Sequence, residues 1–448
     1  MKHLYGKSLL LVLLLFAGIS AVVAQTKPMQ SSLMQKQQQS VMGGFGMTFI
    51  DGEPYYLFNI APELAFGKFG LGLDINLRMG KNGKLRAEDF DEGYDYLRMI
   101  RYIRYGTKKE PIYVRLGVLD YSRLGHGSII YNYRNSASYD LRKFGMEFDL
   151  DFEKFGFESV YSDFGAGGVF GLRGYARPLK FTSLAAVPVI GGFEVGITYA
   201  ADFNENANKT WGAGDTFGLV TTASDGGSLG VFGFDFGLPV LSLPTINSTL
   251  YFDYAKISGF GSGSALGIDL NFSGLGVLAL GAKYERRWNG EKYQPAYFDA
   301  LYEKERYLPI DTTRFYSKAQ LLSGVSSSEG YYGEILISIL GRFNIVGGYQ
   351  SPVGVRNQGT LHLEFDPGDV IPGIILSAGY DKKYVGRVFK VDNNSLFFVN
   401  FGYKPMPFLF VSTMYIWTFT EDKDSNGNVV GYKSQKRIEP KIGFVFNF

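Results

Sequence analysis

Beyond residue 43 the chain alternates apolar and polar side chains with a period of two, segment after segment. Leu71, Leu73, Ile75, Leu77 and Met79 fall on one side of an extended backbone, against Gly72, Asp74, Asn76 and Arg78. Met146, Phe148, Leu150 and Phe152 oppose Glu147, Asp149, Asp151 and Glu153. Leu266, Ile268, Leu270 and Phe272 oppose Gly267, Asp269, Asn271 and Ser273, and Leu361, Leu363 and Phe365 oppose His362, Glu364 and Asp366. A helix would scatter these residues around its circumference, whereas a strand sorts them onto two faces.

The polar stretches between the strands fall into two classes. Short ones lie at 67–68, 107–110, 153–155, 273–275, 341–342 and 404–407. Between them come longer ones at 80–93, 122–139, 204–228, 288–313, 385–393 and 421–435. Tight turns alternating with long loops predict an all-β fold: a single transmembrane antiparallel up-and-down β-barrel of about 18–20 strands, with short periplasmic turns and longer extracellular loops.

Composition sharpens this picture. Glycine numbers 58 of 448 residues, about twice the usual share, and 38 Phe and 31 Tyr stand beside only 3 Trp. Glycine with Phe and Tyr suits bent, twisted strands that carry amphipathic rings at a membrane boundary. Charge is balanced, 45 Lys+Arg against 43 Asp+Glu, which argues against nucleic acid as a partner. The chain has no cysteine, which excludes disulfides, thiolate metal sites and cysteine nucleophiles.

Residues 1–24 read as a secretory signal peptide: Lys2, His3 and Lys7, an apolar run from Leu9 to Phe16, then the small-residue exit Val22-Val23-Ala24 before Gln25. Residues 25–42, rich in glutamine, read as a flexible polar segment, and residues 43–448 as the barrel. After the signal peptide no run of about 18 apolar residues remains. The nearest stretch, 181–201, is broken by Pro188, Gly191, Gly192 and Glu194. A bilayer location then requires a closed barrel.

The final strand places Ile438, Pro440, Ile442, Phe444, Phe446 and Phe448 on one face and Glu439, Lys441, Gly443, Val445 and Asn447 on the other. In this the chain resembles Gram-negative outer-membrane β-barrels, whose last strand ends in an aromatic with apolar residues at alternate positions. The resemblance is architectural and spans about residues 43–448. It implies residence in the cell outer membrane among outer-membrane lipids. It also implies an insertion signal, read by the barrel-assembly machinery, carried by Phe444, Phe446 and Phe448.

The expected activity is passive, porin-like transport of small solutes through a charged lumen. Lumen-lining candidates are Arg78, Arg115, Glu147, Asp149, Asp151, Glu153, Asp269 and Glu364. With Arg98, Arg101, Arg104, Arg123, Arg134 and Arg142, the first third of the barrel is rich in arginine, and facing acidic and basic walls would set a transverse field. The bland alternative is that these charges pair across strands and fill the interior. Two other functions stay open: a FadL-like carrier of hydrophobic compounds, with an N-terminal hatch near Gly43–Ile50, and a structural or assembly barrel with a filled lumen.

Within the loop 288–313, residues 295–309 predict a short helix with Phe298, Leu301 and Tyr302 on one side. It reads first as a cover over the barrel mouth, with inward folding as the alternative. Asp422-Lys423-Asp424-Ser425-Asn426-Gly427 matches half of a calcium loop, but Lys433 stands where a bidentate Glu is needed, so it reads as a polar turn. Leu124-Gly125-His126-Gly127-Ser128 sets a His beside a Ser without an orienting third group. No catalytic, cofactor or metal residue is assigned, and an enzyme is not expected.

Overall fold

The computed structural model describes residues 40–50, 53–108, 110–136, 143–165, 167–209, 226–274, 277–299, 302–309, 315–340, 343–354, 359–368, 371–386, 390–392, 395–423 and 429–447. The signal peptide, most of the segment 25–42, Arg142, Leu301 and Phe448 lie outside the described residues.

Alternation does what it promises: the strands form one antiparallel sheet that closes on itself. Phe69–Leu73 and Ile75–Met79 share the partner Glu53–Phe66 and make one strand interrupted at Asp74, which gives a barrel of 20 strands. Closure is made by Ser40–Ile50, which pairs on one side with Glu53–Phe66 and on the other with the last strand, Val429–Asn447. Ser40 stands opposite Asn447 and Gly46 opposite Lys441. The first strand thus starts slightly ahead of residue 43, and it lies in the wall rather than in the lumen. That removes Gly43–Ile50 as a hatch, because Gly43–Gly46 are paired on both sides and Met47–Ile50 with Glu53–Tyr56.

Outward positions carry the apolar side chains. On Leu229–Ser242 the rings of Phe232, Phe234 and Phe236 are exposed, and Phe234 stacks on Tyr254 of Ile246–Ile257 at 5.2 Å between ring centroids. Exposed aromatics recur around the wall, among them Phe58, Tyr199, Tyr284, Tyr349, Phe401 and Tyr403. A belt this extensive would aggregate in water, and acyl chains are the solvent that matches it.

The two ends of the barrel differ broadly as expected, with exceptions: Leu409–Lys423 and Val429–Asn447 run as strands through most of the expected loop 421–435. On the loop side the link 258–261 is a tight turn. On the turn side the connection 177–193 is long and folds into three 3₁₀ turns, Pro178–Phe181, Ser183–Ala186 and Ile190–Gly192, leaving Phe181, Leu184 and Ile190 exposed.

Two loops fold inward. Residues 118–136 and, of the second loop, the described residues 290–299, 302–309 and 315–327 meet through a parallel bridge between Ile130 and Phe298, with Phe298 N–H donating to Ile129 O (3.1 Å) and Tyr131 N–H to Phe298 O (3.2 Å). Tyr297, Phe298 and Tyr302 are 1 %, 0 % and 1 % exposed, so this loop is a plug and not a cover. The expected helix shrinks to Tyr302–Glu305. Its first half is a turn at Pro295-Ala296, with Ala296 at φ 51°, followed by the bridge at Phe298; the backbone around Phe298 bonds to the neighbouring loop, and tertiary pairing overrides local propensity.

Candidate functional site in the lumen

The plug has an apolar layer toward the loop side. Leu119, Leu124, Ile129, Ile130 and Tyr133 pack with Tyr293, Tyr297, Phe298, Tyr302 and Leu322 against Val160, Val169, Ala200, Val231, Ala255 and Ile257 of the wall. Small wall residues make the room. A Cβ on Gly171 would lie 2.5 Å from Ile130 Cδ1 and 2.7 Å from Leu124 Cδ1. Polar clamps fix the layer: Arg306 pairs with Asp202, Tyr302 Oη donates to Asp202 Oδ2 (2.7 Å), and Lys143 Nζ donates to Glu303 Oε2 (2.6 Å). Burial, with Glu303 beside it, holds the Tyr133 hydroxyl well above its ordinary pKa, so it remains a donor to that carboxylate.

Beneath lies a charged layer reached by the plug's tip, Leu124-Gly125-His126-Gly127-Ser128. Gly125 and Gly127 have φ of 55° and 100°, and Gly127 N–H donates to Leu124 O (3.1 Å), so the tip is a turn that glycine permits. His126 stacks on Tyr251 at 4.2 Å with planes 3° apart. Gly125 N–H donates to Glu158 Oε2 (2.7 Å), and Lys283 Nζ to His126 O (2.6 Å). Arg173, 2 % exposed, forks onto Asp235 through Nε (2.9 Å) and Nη2 (2.5 Å) and also reaches Glu194 (2.7 Å). Glu285 accepts from Lys283 (2.9 Å), Arg287 (2.5 Å) and Tyr251 Oη (2.7 Å). Of this layer the sequence drew attention to His126 alone, beside Ser128, and to none of the wall charges around it. A usable signal existed in Phe232 to Phe236: aromatics at alternate places flag the position between them, Asp235, as inward.

The sequence candidates divide. Glu147 and Asp149 face inward and are buried, Glu147 accepting from Tyr113 Oη (2.8 Å) and Asp149 lying 3.2 Å from Lys108 Nζ. Lys108 belongs to the turn 106–111. Its burial alone would lower its pKa, but Asp149 and Glu147 outweigh that and raise it. Asp151 pairs with Arg177 (2.9 Å), while Glu153 sits exposed in the turn beyond the strand, at φ 66°. Arg115 stands opposite Glu147, donates from Nε to Val118 O (3.0 Å) and stacks on Tyr102 (5.0 Å). Arg78 is bound to Asp89 of the loop 80–99 (2.8 Å). Asp269 caps the backbone of Thr249 (3.1 Å). On this side, then, Glu147, Asp149, Asp151 and Arg78 are paired with opposite charges, and Arg115 and Asp269 with backbone groups.

The opposite wall is different. His362 and Glu364 of Gly359–Asp366 and Asp381 of Ile374–Val385 also point inward at mid-strand, yet their side chains are 44 %, 36 % and 48 % exposed. His362 Nδ1 lies 2.5 Å from Asp381 Oδ1. Lys441, inward on the last strand, is exposed as well. The plug's near edge, Tyr121 with Arg134 stacked on it at 4.3 Å, comes within electrostatic reach of Glu364 and His362.

Elsewhere, Phe444 lies across Gly43 at the seam and Phe446 stacks on Phe408 at 5.5 Å on the lipid side. Most of the calcium-like turn lies outside the described residues. Of its edges, Lys433 Nζ donates to Asp422 Oδ1 (2.7 Å), so the lysine occupies the would-be first ligand.

A closed barrel with an apolar outer belt and a polar interior is the architecture that spans bacterial outer membranes, and this protein is an outer-membrane β-barrel in that sense. No family model matches the sequence, and no curated protein matches it. Among solved structures it is similar to the ferric enterobactin receptor PfeA of Pseudomonas aeruginosa, at 9% identity over 91% of this chain and 81% of that one, TM-score 0.36. It is similar to Wzi of Escherichia coli, described as a carbohydrate-binding β-barrel involved in group 1 capsule assembly, at 12% identity over 94% and 86% of the two chains, TM-score 0.36. It is also similar to OccK11 (OpdR) of Pseudomonas aeruginosa, at 10% identity over 95% and 99%, TM-score 0.34. Likeness this distant assigns no activity.

Proposed function

We propose that the protein is a porin-like channel whose path for small polar solutes is eccentric, running between the plug and the wall formed by residues 343–447. The observation that carries this is the contrast in exposure of inward, mid-strand charges. Arg173, Asp253 and Glu285 are 2 %, 1 % and 2 % exposed, whereas Glu364 and Asp381 are 36 % and 48 % exposed. Charges facing a barrel interior reach such exposure where the interior holds water. With Glu364 and Asp381 on one side of the gap and Arg134 on the other, the field across the path favours cations near the wall.

Planar-bilayer recording of the purified protein tests this. A small, steady conductance with cation preference is expected, and Glu364→Gln should reduce that preference. Conductance no greater than that of protein-free bilayers would overturn the channel and favour a barrel with a filled lumen, a reading that the buried plug core already supports.

A further inference from the structure

We propose that His126, Asp235 and Asp253 form a binding site for a divalent transition-metal ion of the Zn²⁺ class, which ties the tip of the plug to the barrel wall. The donor atoms of the three side chains all lie within 4.8 Å of one another, with His126 Nε2 at 3.8 Å from Asp235 Oδ1. That is too long for a hydrogen bond. It is the separation of ligands around a shared ion: donors about 2.1 Å from Zn²⁺ stand roughly 3.4 Å apart at a tetrahedral angle and about 4.2 Å apart in trans.

Asp253 supplies the independent observation. It is 1 % exposed, its Oδ1 is buried with no hydrogen-bond partner, and no ion pair to it is found among the described residues. Ser128 hydrogen-bonds its carboxylate and Lys283 attracts it from a distance, but no described cation is committed to it. Arg173 is committed to Asp235 and Glu194, and Lys283 and Arg287 to Glu285. On the strand pairing, Asp253 stands directly opposite Asp235, so two carboxylates share one buried spot. A buried carboxylate in that position is relieved by a proton or by a cation.

The rest of the cavity is fitted to an ion. It encloses about 10 Å³, room for one water-sized particle. Ser128 and Thr198 line it beside the three donors and offer hydroxyl oxygens. The imidazole is held by its stack on Tyr251, and its backbone carbonyl by Lys283, so the ring is oriented before any ion arrives. Mixed imidazole and carboxylate donors suit Zn²⁺ or Mn²⁺ better than Ca²⁺, which takes oxygen ligands in larger number. The site joins a loop residue to two strand residues, so an ion here would hold the plug in place whatever passes beside it.

The test uses the full chain folded in detergent, stripped with chelator, then titrated with Zn²⁺ against a chromophoric competitor, with Co²⁺ as a spectroscopic substitute. The expected result is one equivalent of Zn²⁺ and visible Co²⁺ bands with a nitrogen donor. Asp253→Asn and His126→Gln should weaken Zn²⁺ by at least about 100-fold, beyond the usual effect of losing an outer-shell partner, while His362→Gln leaves it unchanged. If a variant does not fold, the Co²⁺ spectrum of the unaltered chain decides. No stoichiometric Zn²⁺ on the unaltered chain, or binding kept by both variants, would overturn the site and leave Asp253 to carry a proton.

Discussion

Phe298→Ala should unseat the plug while leaving the barrel closed. The ring is 0 % exposed, with centroids 4.8 Å from Tyr302 and 5.2 Å from Tyr297, and the same residue bonds through its backbone to Ile129 and Tyr131. Truncating a buried Phe costs about 3–5 kcal/mol, the larger values where the surroundings cannot collapse into the void. Here one side of the void is a strand ladder that cannot move inward, so the upper half of that range applies. At about 1.4 kcal/mol per tenfold, the balance between seated and unseated plug shifts by roughly 700- to 4000-fold. No strand residue is altered, so the ladder and the lipid belt stay intact. In planar bilayers the variant should show openings larger and far more frequent than the unaltered chain, and amides at 119–135 should exchange faster. Equal opening frequency together with unchanged exchange in that segment would refute the packing argument.

Three further outcomes follow from named contacts. Arg173→Ala strands Asp235 in the interior, while Glu194 keeps Arg177, and should cost about 3–5 kcal/mol in a urea titration; Arg173→Lys should recover only part of it, since an ammonium cannot reproduce the two-pronged contact. Lys108→Met should lower stability by an amount that does not shrink between about pH 6 and pH 9: a group whose folded pKa is raised keeps its full contribution below its unfolded value and loses it only on passing the folded one. A difference that shrinks across that window would mean Lys108 is not paired with Asp149 and Glu147. Gly43→Val sets a side chain against Asn59 O (2.8 Å from the added Cβ) and the Phe444 ring (2.5 Å), and should cost about 1–3 kcal/mol and lower refolding yield; normal yield and stability would show that the seam tolerates bulk.

Period-two alternation was enough to read the barrel, its end-to-end closure and the lipid face of the last strand, because each depends on which side of a strand a residue takes. It was enough, too, to turn Glu147, Asp149 and Glu364 inward. What alternation does not encode is what faces an inward residue across the lumen. Asp149 and Glu364 look alike along the chain, yet one meets Lys108 and the other meets a partly open gap, and the difference is made by loops distant in sequence. His126 shows the same limit. Beside Ser128 it suggested at most an incomplete hydrolase pair, and its actual neighbours, Tyr251, Asp235 and Asp253, lie more than a hundred residues away. The helix expected from residue 295 onward is confined to Tyr302–Glu305 for a related reason: its amphipathic pattern was real, but Phe298 is held by a bridge to Ile130 and a hydrogen bond to Ile129.

The plug's one-sidedness has a steric origin. Inward positions on the strands from Val169 to Ile257 include Gly171, Ala200, Gly233 and Ala255, and into these notches fit Leu124, Ile129 and Ile130, with Ile129 Cδ1 only 3.1 Å from where a Gly233 Cβ would stand. Inward positions on the last strands carry Phe398, Asn400, Met414 and Lys441, and the Phe398 ring already covers Gly379. The second wall has inward glycines too, Gly348, Gly379, Gly402 and Gly443, but the Phe398 and Phe410 rings already cover Gly379 and Gly443, whereas on the first wall the notches are filled by the loop's own Leu124, Ile129 and Ile130. Burial of these side chains at about 25 cal/mol per Å² of apolar surface then favours one docked position over any central one. Once docked, the plug desolvates the charges beneath it, which is why Arg173 and Glu285 are fully paired. The charges it does not reach, on Glu364 and Asp381, keep their exposure, and the eccentric path of the proposed function would follow from the side on which the plug docks.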